Sequence, residues 1–261
     1  MDLELKDKRV LVAAASKGLG RAIAQEFVRE GARVAICSRD QTTIDRVAGE
    51  IGGGALGIAA DVSTDAGCRT FVETAAAALG GIDILVVNAG GPAPGRFDDL
   101  DDAAWQTAID LTLFSAIRLT RLALPELRKA KGSIVFSTST SLRQPTQYLN
   151  LILSNAIRAA VHGMLKTLSS DLAKDGVRVN AVQPGRIATD RLIELDTFTA
   201  KREGLTPEAV RERYERTVIP LARYGTPEEF AAAVVFVASP RASYITGVSL
   251  QVDGGMLMSL F

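Results

Sequence analysis

The sequence has few of the residues that build metal centres or disulfide frameworks, with one histidine and two cysteines among 261 residues. A single histidine excludes a His-rich metal site, and Cys37 and Cys68 lack the close spacing of metal ligands. Cys37 lies in a predicted buried strand, which favours a free thiol in a reducing compartment over a disulfide. We therefore predict no metal site and a cytoplasmic location.

The chain also lacks an excess of charge and long apolar runs. Thirty basic residues balance thirty acidic ones, so no net field draws the chain to nucleic acid or to an anionic membrane. No stretch approaches the roughly 18 apolar residues of a membrane span. Residues 1–6 have no basic segment followed by an apolar core, as a signal peptide would have. We predict no nucleic-acid partner and no membrane association.

Short apolar runs alternate with segments of helical period along the chain. The runs are apolar throughout, which is typical of strands buried on both faces of a parallel sheet. They lie at 9–14, 33–37, 56–60, 83–87, 133–137, 177–182 and 248–252, and the two longest helical patterns cover about 102–129 and 150–174. The alternation predicts a single α/β domain over 1–261, a Rossmann fold with a doubly wound, mostly parallel seven-stranded sheet and helices on both faces.

Residues 190–220 interrupt this alternation with a charged, helical segment between the sixth strand and the next helix. Long insertions in compact domains are often functional. We predict that the segment is a substrate lid, with a surface excursion as the alternative.

The first strand leads into a glycine-rich turn, Ala13-Ala-Ala-Ser-Lys-Gly-Leu-Gly20, where a helix begins. Backbone N–H groups of such a turn, together with the helix N-terminus, can bind a pyrophosphate. The turn alone is a weak signal, but it resembles the Thr-Gly-x-x-x-Gly-x-Gly turn of the short-chain dehydrogenase/reductase family. Ala13 and Ala14 stand where the family has Thr and Gly, and an alanine at the glycine position implies a backbone that stays at negative φ.

Further segments resemble this family at the ends of later strands. Asp61 and Val62 look like its adenine-contacting pair, and residues 88–90 match the end of its Asn-Asn-Ala-Gly motif. Residues 179–185 match its Val-Asn-x-x-x-Pro-Gly segment beside the nicotinamide, and residues 252–255 include its C-terminal Asp-Gly-Gly. The resemblance covers nearly the whole chain and implies a dinucleotide held by Ser16, Lys17, Gly18, Leu19, Gly20, Arg39, Asp61, Val62, Asn88, Ala89, Gly90, Arg158, Pro184, Gly185, Ile187 and Thr189.

The charges around the turn indicate which dinucleotide is bound. In the family, the residue that ends the second strand and a residue of the glycine-rich turn approach the 2′-phosphate of NADP, and here these are Arg39 and Lys17. An acidic residue at the strand end would instead bond the ribose hydroxyls of NAD. Asp40 stands one residue too late for that role, so we predict NADP(H), with NAD as the less favoured alternative.

The residues expected to carry out the chemistry depart from the family, whose reductases use an Asn, a Ser and a Tyr-x-x-x-Lys pair. Ser139 follows the fifth strand at the serine position. Four other hydroxyl residues surround it and leave a shift of one residue open: Ser137, Thr138, Thr140 and Ser141. Thr112 aligns with the Asn, Ser154 with the Tyr and Arg158 with the Lys.

These replacements change the chemistry that the site can perform. An alkyl hydroxyl is a far weaker acid than a phenol, whose pKa is about 10, and arginine stays charged at neutral pH. Arginine can still anchor a ribose hydroxyl or an oxyanion, and serines can hold a carbonyl oxygen by hydrogen bonds. We therefore predict Ser139, Ser154 and Arg158 as catalytic-site residues, with the proton supplied by Tyr148, by water or by the substrate.

The departures resemble a divergent 3-oxoacyl-[acyl-carrier-protein] reductase-like subgroup that lacks the Tyr-x-x-x-Lys pair. This resemblance implies an NADP(H)-dependent oxidoreductase that reduces a ketone or 3-oxoacyl-type carbonyl of a small molecule, or oxidises the alcohol, by hydride transfer. The missing pair leaves an alternative open, which is a non-catalytic NADP(H)-binding sensor or assembly partner.

Family members usually assemble as tetramers through their two long helices, which implies a homotetramer, with a dimer as the less favoured alternative. The helical pattern at 150–174 is apolar on more than one face, so another protein surface must bury it. His162, Trp105 and Phe114 are more typical of packed or interface positions than of a proton relay or of substrate-stacking groups.

Overall fold

The computed structural model describes residues 1–145 and 150–259. Its strands are β1 (Arg9–Val12), β2 (Arg33–Ser38), β3 (Leu56–Ala59), β4 (Ile84–Val87), β5 (Ser133–Ser137), β6 (Arg178–Pro184) and β7 (Ser249–Val252). They pair in parallel in the order β3-β2-β1-β4-β5-β6-β7. The predicted α/β Rossmann fold with a doubly wound, seven-stranded sheet is confirmed, and each described strand pair is parallel.

Helices cover the sheet, and several begin at residues that satisfy free backbone N–H groups. The helices are α1 (Gly18–Arg29), α2 (Gln41–Ile51), α3 (Asp65–Leu79), α4 (Asp102–Ile109), α5 (Ser115–Ala130), α6 (Ile152–Asp171), α7 (Asp190–Glu203), α8 (Pro207–Thr217) and α9 (Pro227–Ala238). Asp40, Thr64 and Thr226 accept a backbone N–H from the first turns of α2, α3 and α9. Such short polar caps explain why these helices start where they do.

Two apolar cores lie against the sheet, one on each face. The first packs α3, α5 and α6 against strand residues such as Leu85 and Phe136. The second packs α1, α2 and α9 against others such as Val12 and Val86. Leu85 and Val86 are consecutive in β4 and enter opposite cores, as the alternation of side chains along a strand requires. Burial on both faces is the reason that the strands are apolar throughout.

The helical pattern at about 102–129 is not one continuous α-helix. α4 ends at Ile109, the segment Asp110–Phe114 forms a π-helical turn, and α5 begins at Ser115. A π-helical turn inserts an extra residue into a helix and occurs often at functional sites. The prediction of a single helix was therefore wrong at this turn, which the apolar periodicity alone does not reveal.

The segment at 190–220 folds into α7 and α8 around a small apolar core of its own. The buried members of that core are Leu192, Ala200, Val210, Tyr214, Ile219 and Tyr224. The guanidinium of Arg186, in the loop after β6, lies 3.5 Å from the centroid of the Tyr214 ring and pairs with the Asp196 carboxylate. Tyr224 Oη donates to the same carboxylate at 3.0 Å. This buried charge pair ties α7 to the end of β6.

Both cysteines are buried free thiols. Burial raises the pKa of Cys37 to about 12 and that of Cys68 to about 11, so neither is a reactive thiolate at neutral pH. Within residues 1–145 and 150–259, no helix has the length and apolar character needed to cross a membrane. The same residues include no cluster of three or more His, Cys, Asp or Glu side chains that could hold a metal ion.

Candidate functional site

A cavity of about 770 Å³ lies at the carboxyl ends of the strands, where the strand order reverses between β1 and β4. Open α/β sheets bind ligands at such a point, and the volume is in the range of small-molecule sites. The residues predicted to hold the dinucleotide all line this cavity: Ser16, Lys17, Gly18, Leu19, Gly20, Arg39, Asp61, Val62, Asn88, Ala89, Gly90, Arg158, Pro184, Gly185, Ile187 and Thr189. Ser139 and Ser154 line it as well, whereas Tyr148 lies outside the described residues.

The glycine-rich turn differs from the prediction at Ala14. Its φ is +50°, so the expectation of a negative φ is wrong. An alanine in this left-handed region costs roughly 1–2 kcal/mol, and contacts from the end of another strand hold it there. Asn88 Nδ2 donates to the carbonyls of both Ala13 and Ala14 at 3.1 Å. The backbone of the turn is therefore left-handed at Ala14, although alanine carries a Cβ.

Gly20 allows α1 to approach the turn closely. A Cβ on Gly20 would lie 2.5 Å from the Ala14 carbonyl oxygen and 2.9 Å from Asn88 Nδ2. Lys17, the N-cap residue of α1, makes no side-chain capping hydrogen bond. The first N–H groups of the helix thus have no side-chain cap and can meet an anion in the cavity. The shape and the donors of this cradle fit a pyrophosphate group.

Two exposed cations, Lys17 and Arg39, line the cavity beside this cradle. Asp40 does not line it in the described structure. Its carboxylate accepts the N–H of Thr43 at 2.8 Å and caps α2, and hydrogen bonds from Thr43 lower the pKa of Asp40. Positive side chains therefore dominate this part of the cavity, with Lys17 in the turn after β1 and Arg39 directly after β2.

Ser139, Ser154 and Arg158 line the cavity on the opposite side of the switch point, next to β5. Arg158 Nε donates to Ser154 Oγ at 3.3 Å, and Arg158 Nη1 donates to the carbonyl of Ser137 at 2.9 Å. Ser139 Oγ lies 2.8 Å from Ser141 Oγ. Because Ser154 and Arg158 are four residues apart, they share one face of α6. The cluster offers two hydroxyls and one cation to an oxygen atom in the cavity.

Arg158 is a half-buried guanidinium whose described partners are a hydroxyl and a carbonyl. Burial lowers its pKa to about 10, and Arg191 contributes to the shift by repulsion. The group remains protonated at neutral pH. A fixed cation beside a carbonyl oxygen stabilises the negative charge that develops on that oxygen.

Thr112, which aligns with the family's Asn, does not line the main cavity. Its side chain is buried, and its hydroxyl has no hydrogen-bond partner among the described residues. Thr112 and Arg158 both line a second, small cavity of about 10 Å³. Thr107 of α4 lines the main cavity instead, together with Asp110 and Leu111 of the π-helical turn.

Three other residues discussed above do not line the main cavity: His162, Trp105 and Phe114. His162 Nδ1 is 3.3 Å from Ser249 Oγ of β7, and burial lowers the pKa of His162, with Arg143 and Lys166 adding to the shift. Trp105 packs against the small core between α4 and α6. The positions of His162 and Trp105 agree with packing roles. The Phe114 ring is 39% exposed and lies 4.8 Å from the Arg118 guanidinium.

Arg191 is a cavity residue that the sequence analysis did not identify. It lies in the first turn of α7, and its Nη2 donates to the carbonyl of Pro92 at 2.6 Å. Leu192 and Leu195 of the same helix also line the cavity. The charged composition of 190–220 pointed to the segment, but which of its side chains face the cavity depends on how α7 docks.

Comparisons with known proteins cover almost the whole chain. Residues 13–257 match a family described as enoyl-(acyl carrier protein) reductase. The chain is 31% identical over 262 residues to the 7α-hydroxysteroid dehydrogenase of Escherichia coli, which covers 99% of this chain and 98% of that protein.

Two solved structures show the same fold at similar identity. L-sorbose reductase from Gluconobacter frateurii, in complex with NADPH and L-sorbose, superimposes with a TM-score of 0.93 at 32% identity and 100% coverage of both chains. A 7α-hydroxysteroid dehydrogenase in complex with NADH and 7-oxo glycochenodeoxycholic acid gives a TM-score of 0.87 at 31% identity, covering 100% of this chain and 98% of that one.

Proposed function

Because the chain belongs to the short-chain dehydrogenase/reductase family and is an oxidoreductase, we propose that it uses NADP(H) to reduce a ketone or a 3-oxoacyl-type carbonyl. The observation that carries the proposal is one continuous cavity. Lys17 and Arg39 line it on one side, and Ser139, Ser154 and Arg158 line it on the other. A cofactor and a carbonyl compound could therefore share one site.

The preference for NADP over NAD rests on charge. Lys17 and Arg39 would pair with a 2′-phosphate, whereas Asp40 is engaged in capping α2 and would not bond the ribose hydroxyls. Gly18, Gly20 and the N-terminus of α1 would take the pyrophosphate. The structures of relatives include one with NADPH and one with NADH, so the family alone does not decide the cofactor.

The proposed chemistry uses the β5 side of the cavity. NADPH, when bound, supplies the hydride. Ser139 and Ser154 would hold the carbonyl oxygen, and Arg158 would stabilise the negative charge that develops on it or anchor the cofactor ribose. A serine hydroxyl is too weak an acid to complete the alcohol, so the proton would come from Tyr148, from water or from the substrate. α7 would act as the lid, since Leu192 and Leu195 line the cavity.

NADPH oxidation with a 3-oxoacyl thioester and a panel of ketones tests this proposal. Ser139→Ala should reduce turnover by roughly 100-fold while the Kd of NADPH stays unchanged, because the hydroxyl acts on the carbonyl oxygen. Arg216→Gln is the matched control, since Arg216 is exposed on α8 and pairs with Glu212 at 2.7 Å. Unchanged turnover in Ser139→Ala would contradict the assigned role.

A non-catalytic NADP(H)-binding sensor or assembly partner is the second candidate. It is favoured by Ser154 and Arg158, which occupy the positions where the resemblance expects a tyrosine and a lysine. Tight NADPH binding without turnover of any carbonyl in the panel would support it. A turnover that Ser139→Ala abolishes would rule it out.

We also propose that the chain forms a homotetramer in the cytoplasm. Light scattering after size-exclusion chromatography measures the assembly directly. A mass of four chains is the expected result, and a dimer or a monomer would contradict it.

A further inference from the structure

Apolar side chains that are not assigned to the cofactor line the cavity from three different elements. They are Pro92 in the loop after β4, Leu151 at the start of α6, and Leu192 and Leu195 of α7. Leu151 is the N-cap residue of α6, and Ser154 lies three residues after it in the first turn of that helix. The apolar part of the wall therefore reaches the hydroxyl group that the proposed function assigns to the carbonyl oxygen.

Two hydrogen bonds hold these three elements together. The N–H of Gly95 donates to the carbonyl of Asn150 at 2.9 Å, which joins the loop after β4 to the start of α6. Arg191 Nη2 donates to the carbonyl of Pro92 at 2.6 Å, which joins the first turn of α7 to the same loop. The apolar side chains on the three elements therefore surround one compartment beside Ser154.

The charged side chains at this end of the cavity are balanced within the chain. Arg191 lies 3.3 Å from Glu194, in addition to its bond to the loop after β4. Asp110 lies 3.8 Å from Arg118. Asp190 is exposed at the first residue of α7, where a carboxylate interacts favourably with the N-terminus of the helix. This balance favours a neutral substrate over a charged one.

We propose that the substrate is a neutral ketone whose carbonyl carries an apolar group, and that this group packs against Leu151, Leu192 and Leu195. The inference rests on the proposed function for the reaction, in which the carbonyl carbon gains a hydride from NADPH, the oxygen gains a proton and the apolar group is unchanged. A hydroxylated or charged group would lose its hydration in the compartment and find few polar partners there.

Leu195 is the residue of α7 that determines this specificity. Leu192 is only 9% exposed and belongs to the small core of the 190–220 segment. Leu195 lines the cavity as well but is half-buried, so it has apolar surface that a ligand can still cover. Each CH₂ group that a ligand buries there should raise its affinity about fourfold.

Calorimetry on the full chain loaded with NADP⁺ measures ketone binding without turnover. The ligands are 2-alkanones of increasing length, from 2-butanone to 2-octanone, with dihydroxyacetone as the hydroxylated ketone and acetoacetate as the charged one. Affinity should rise with chain length, and the heat-capacity change of binding should become more negative, because more apolar surface is buried. Dihydroxyacetone and acetoacetate should each bind at least about tenfold more weakly than 2-octanone.

Substitutions of Leu195 test where the apolar group binds. Leu195→Ala should weaken the binding of 2-octanone about fivefold or more and leave the affinities for 2-butanone and NADPH unchanged, which shows that the cavity is folded. Leu195→Met should retain most of the affinity because the apolar volume is kept. Leu221→Ala is the matched control, since Leu221 is 64% exposed and does not line the cavity of the described structure.

The outcomes separate this inference from the proposed function. If neither nucleotide binds, the proposed function fails, and the same titrations on the nucleotide-free protein decide the apolar compartment by their dependence on chain length. If NADPH binds but ketone affinity does not rise with chain length, or acetoacetate or dihydroxyacetone binds as tightly as 2-octanone, the apolar-substrate proposal is overturned and the reductase proposal stands. If affinity rises with chain length equally in Leu195→Ala, the apolar group does not bind beneath α7, and the proposal is again overturned.

Discussion

Replacing Ala14 with glycine should stabilise the protein, because Ala14 holds a φ of +50°. The left-handed region costs an alanine roughly 1–2 kcal/mol, which glycine would not incur. The greater conformational entropy of glycine in the unfolded chain offsets about 0.5–1 kcal/mol of this gain. Ala14 lines the cavity, so the loss of its methyl group removes little core packing. The net gain is about 0.5–1 kcal/mol, which raises the Tm of a domain of this size by about 2 °C.

Thermal and urea unfolding of Ala14→Gly and of Lys131→Gly measure this gain. Lys131 has a φ of +49° and is exposed at the end of α5, so it shares the strain of Ala14 without lining the cavity. Both variants should be more stable than the wild type. A loss of about 1 kcal/mol in Ala14→Gly beside a gain in Lys131→Gly would refute the reasoning, since the methyl group of Ala14 would then contribute more than its strain costs.

Three further changes test other parts of the structure. Gly20→Ala should weaken NADPH binding at least about tenfold with the fold retained by circular dichroism, because its Cβ would lie 2.5 Å from the Ala14 carbonyl oxygen; unchanged affinity would contradict the close approach. Asp196→Ala should lower the free energy of unfolding in urea by about 3–5 kcal/mol, because it leaves Arg186 buried without its carboxylate; a loss below about 1 kcal/mol would show that the pair does not stabilise the fold. Hydrogen bonds from the Arg223 guanidinium and from the N–H of Thr226 lower the pKa of Glu229 from 4.5 to about 2, so the stability that these contacts give is present above pH 4.5 and is lost as the pH falls towards 2. The stability difference between the wild type and Glu229→Gln should therefore be largest at neutral pH and shrink in acid, and a difference that grows in acid would reverse the assigned sign.

The sheet and the cavity could be predicted from the sequence because their signals are local. An apolar run indicates a buried strand without any knowledge of its neighbours. Parallel strands then bring their carboxyl ends to one edge of the sheet, so Gly18, Asp61, Asn88 and Gly185 had to meet there. Their common position in one cavity confirms the predicted fold, while their roles in binding stay predictions.

The details that the sequence analysis missed depend on long-range contacts. The φ of Ala14 is held by Asn88, 74 residues away, and a residue-by-residue rule about alanine cannot include that contact. Asp196 is 10 residues from Arg186 and 28 from Tyr224, so their pairing forms only when α7 docks. The same docking turns Arg191 towards the cavity. The π-helical turn after α4 leaves the apolar pattern nearly unchanged, so periodicity does not reveal it.

Several neighbouring residues near β5 have the same hydroxyl group, so mutagenesis is needed to tell which of them acts on the carbonyl oxygen. Ser139 and Ser154 line the cavity, but several hydroxyl residues surround Ser139. Hydrogen-bond donors of the same type at adjacent positions have the same signature in a sequence. Only a change in turnover can tell which of them acts on the carbonyl oxygen.

Titration with NADPH, followed by its fluorescence and with NADH in parallel, tests the central claim most directly. The wild type should bind NADPH at least about tenfold more tightly than NADH, and the double variant Lys17→Ala and Arg39→Ala should lose that difference while NADH binding is kept. Arg216→Gln should leave both affinities unchanged. Binding of neither nucleotide, or tighter binding of NADH, would contradict the assignment of the cavity to NADP(H).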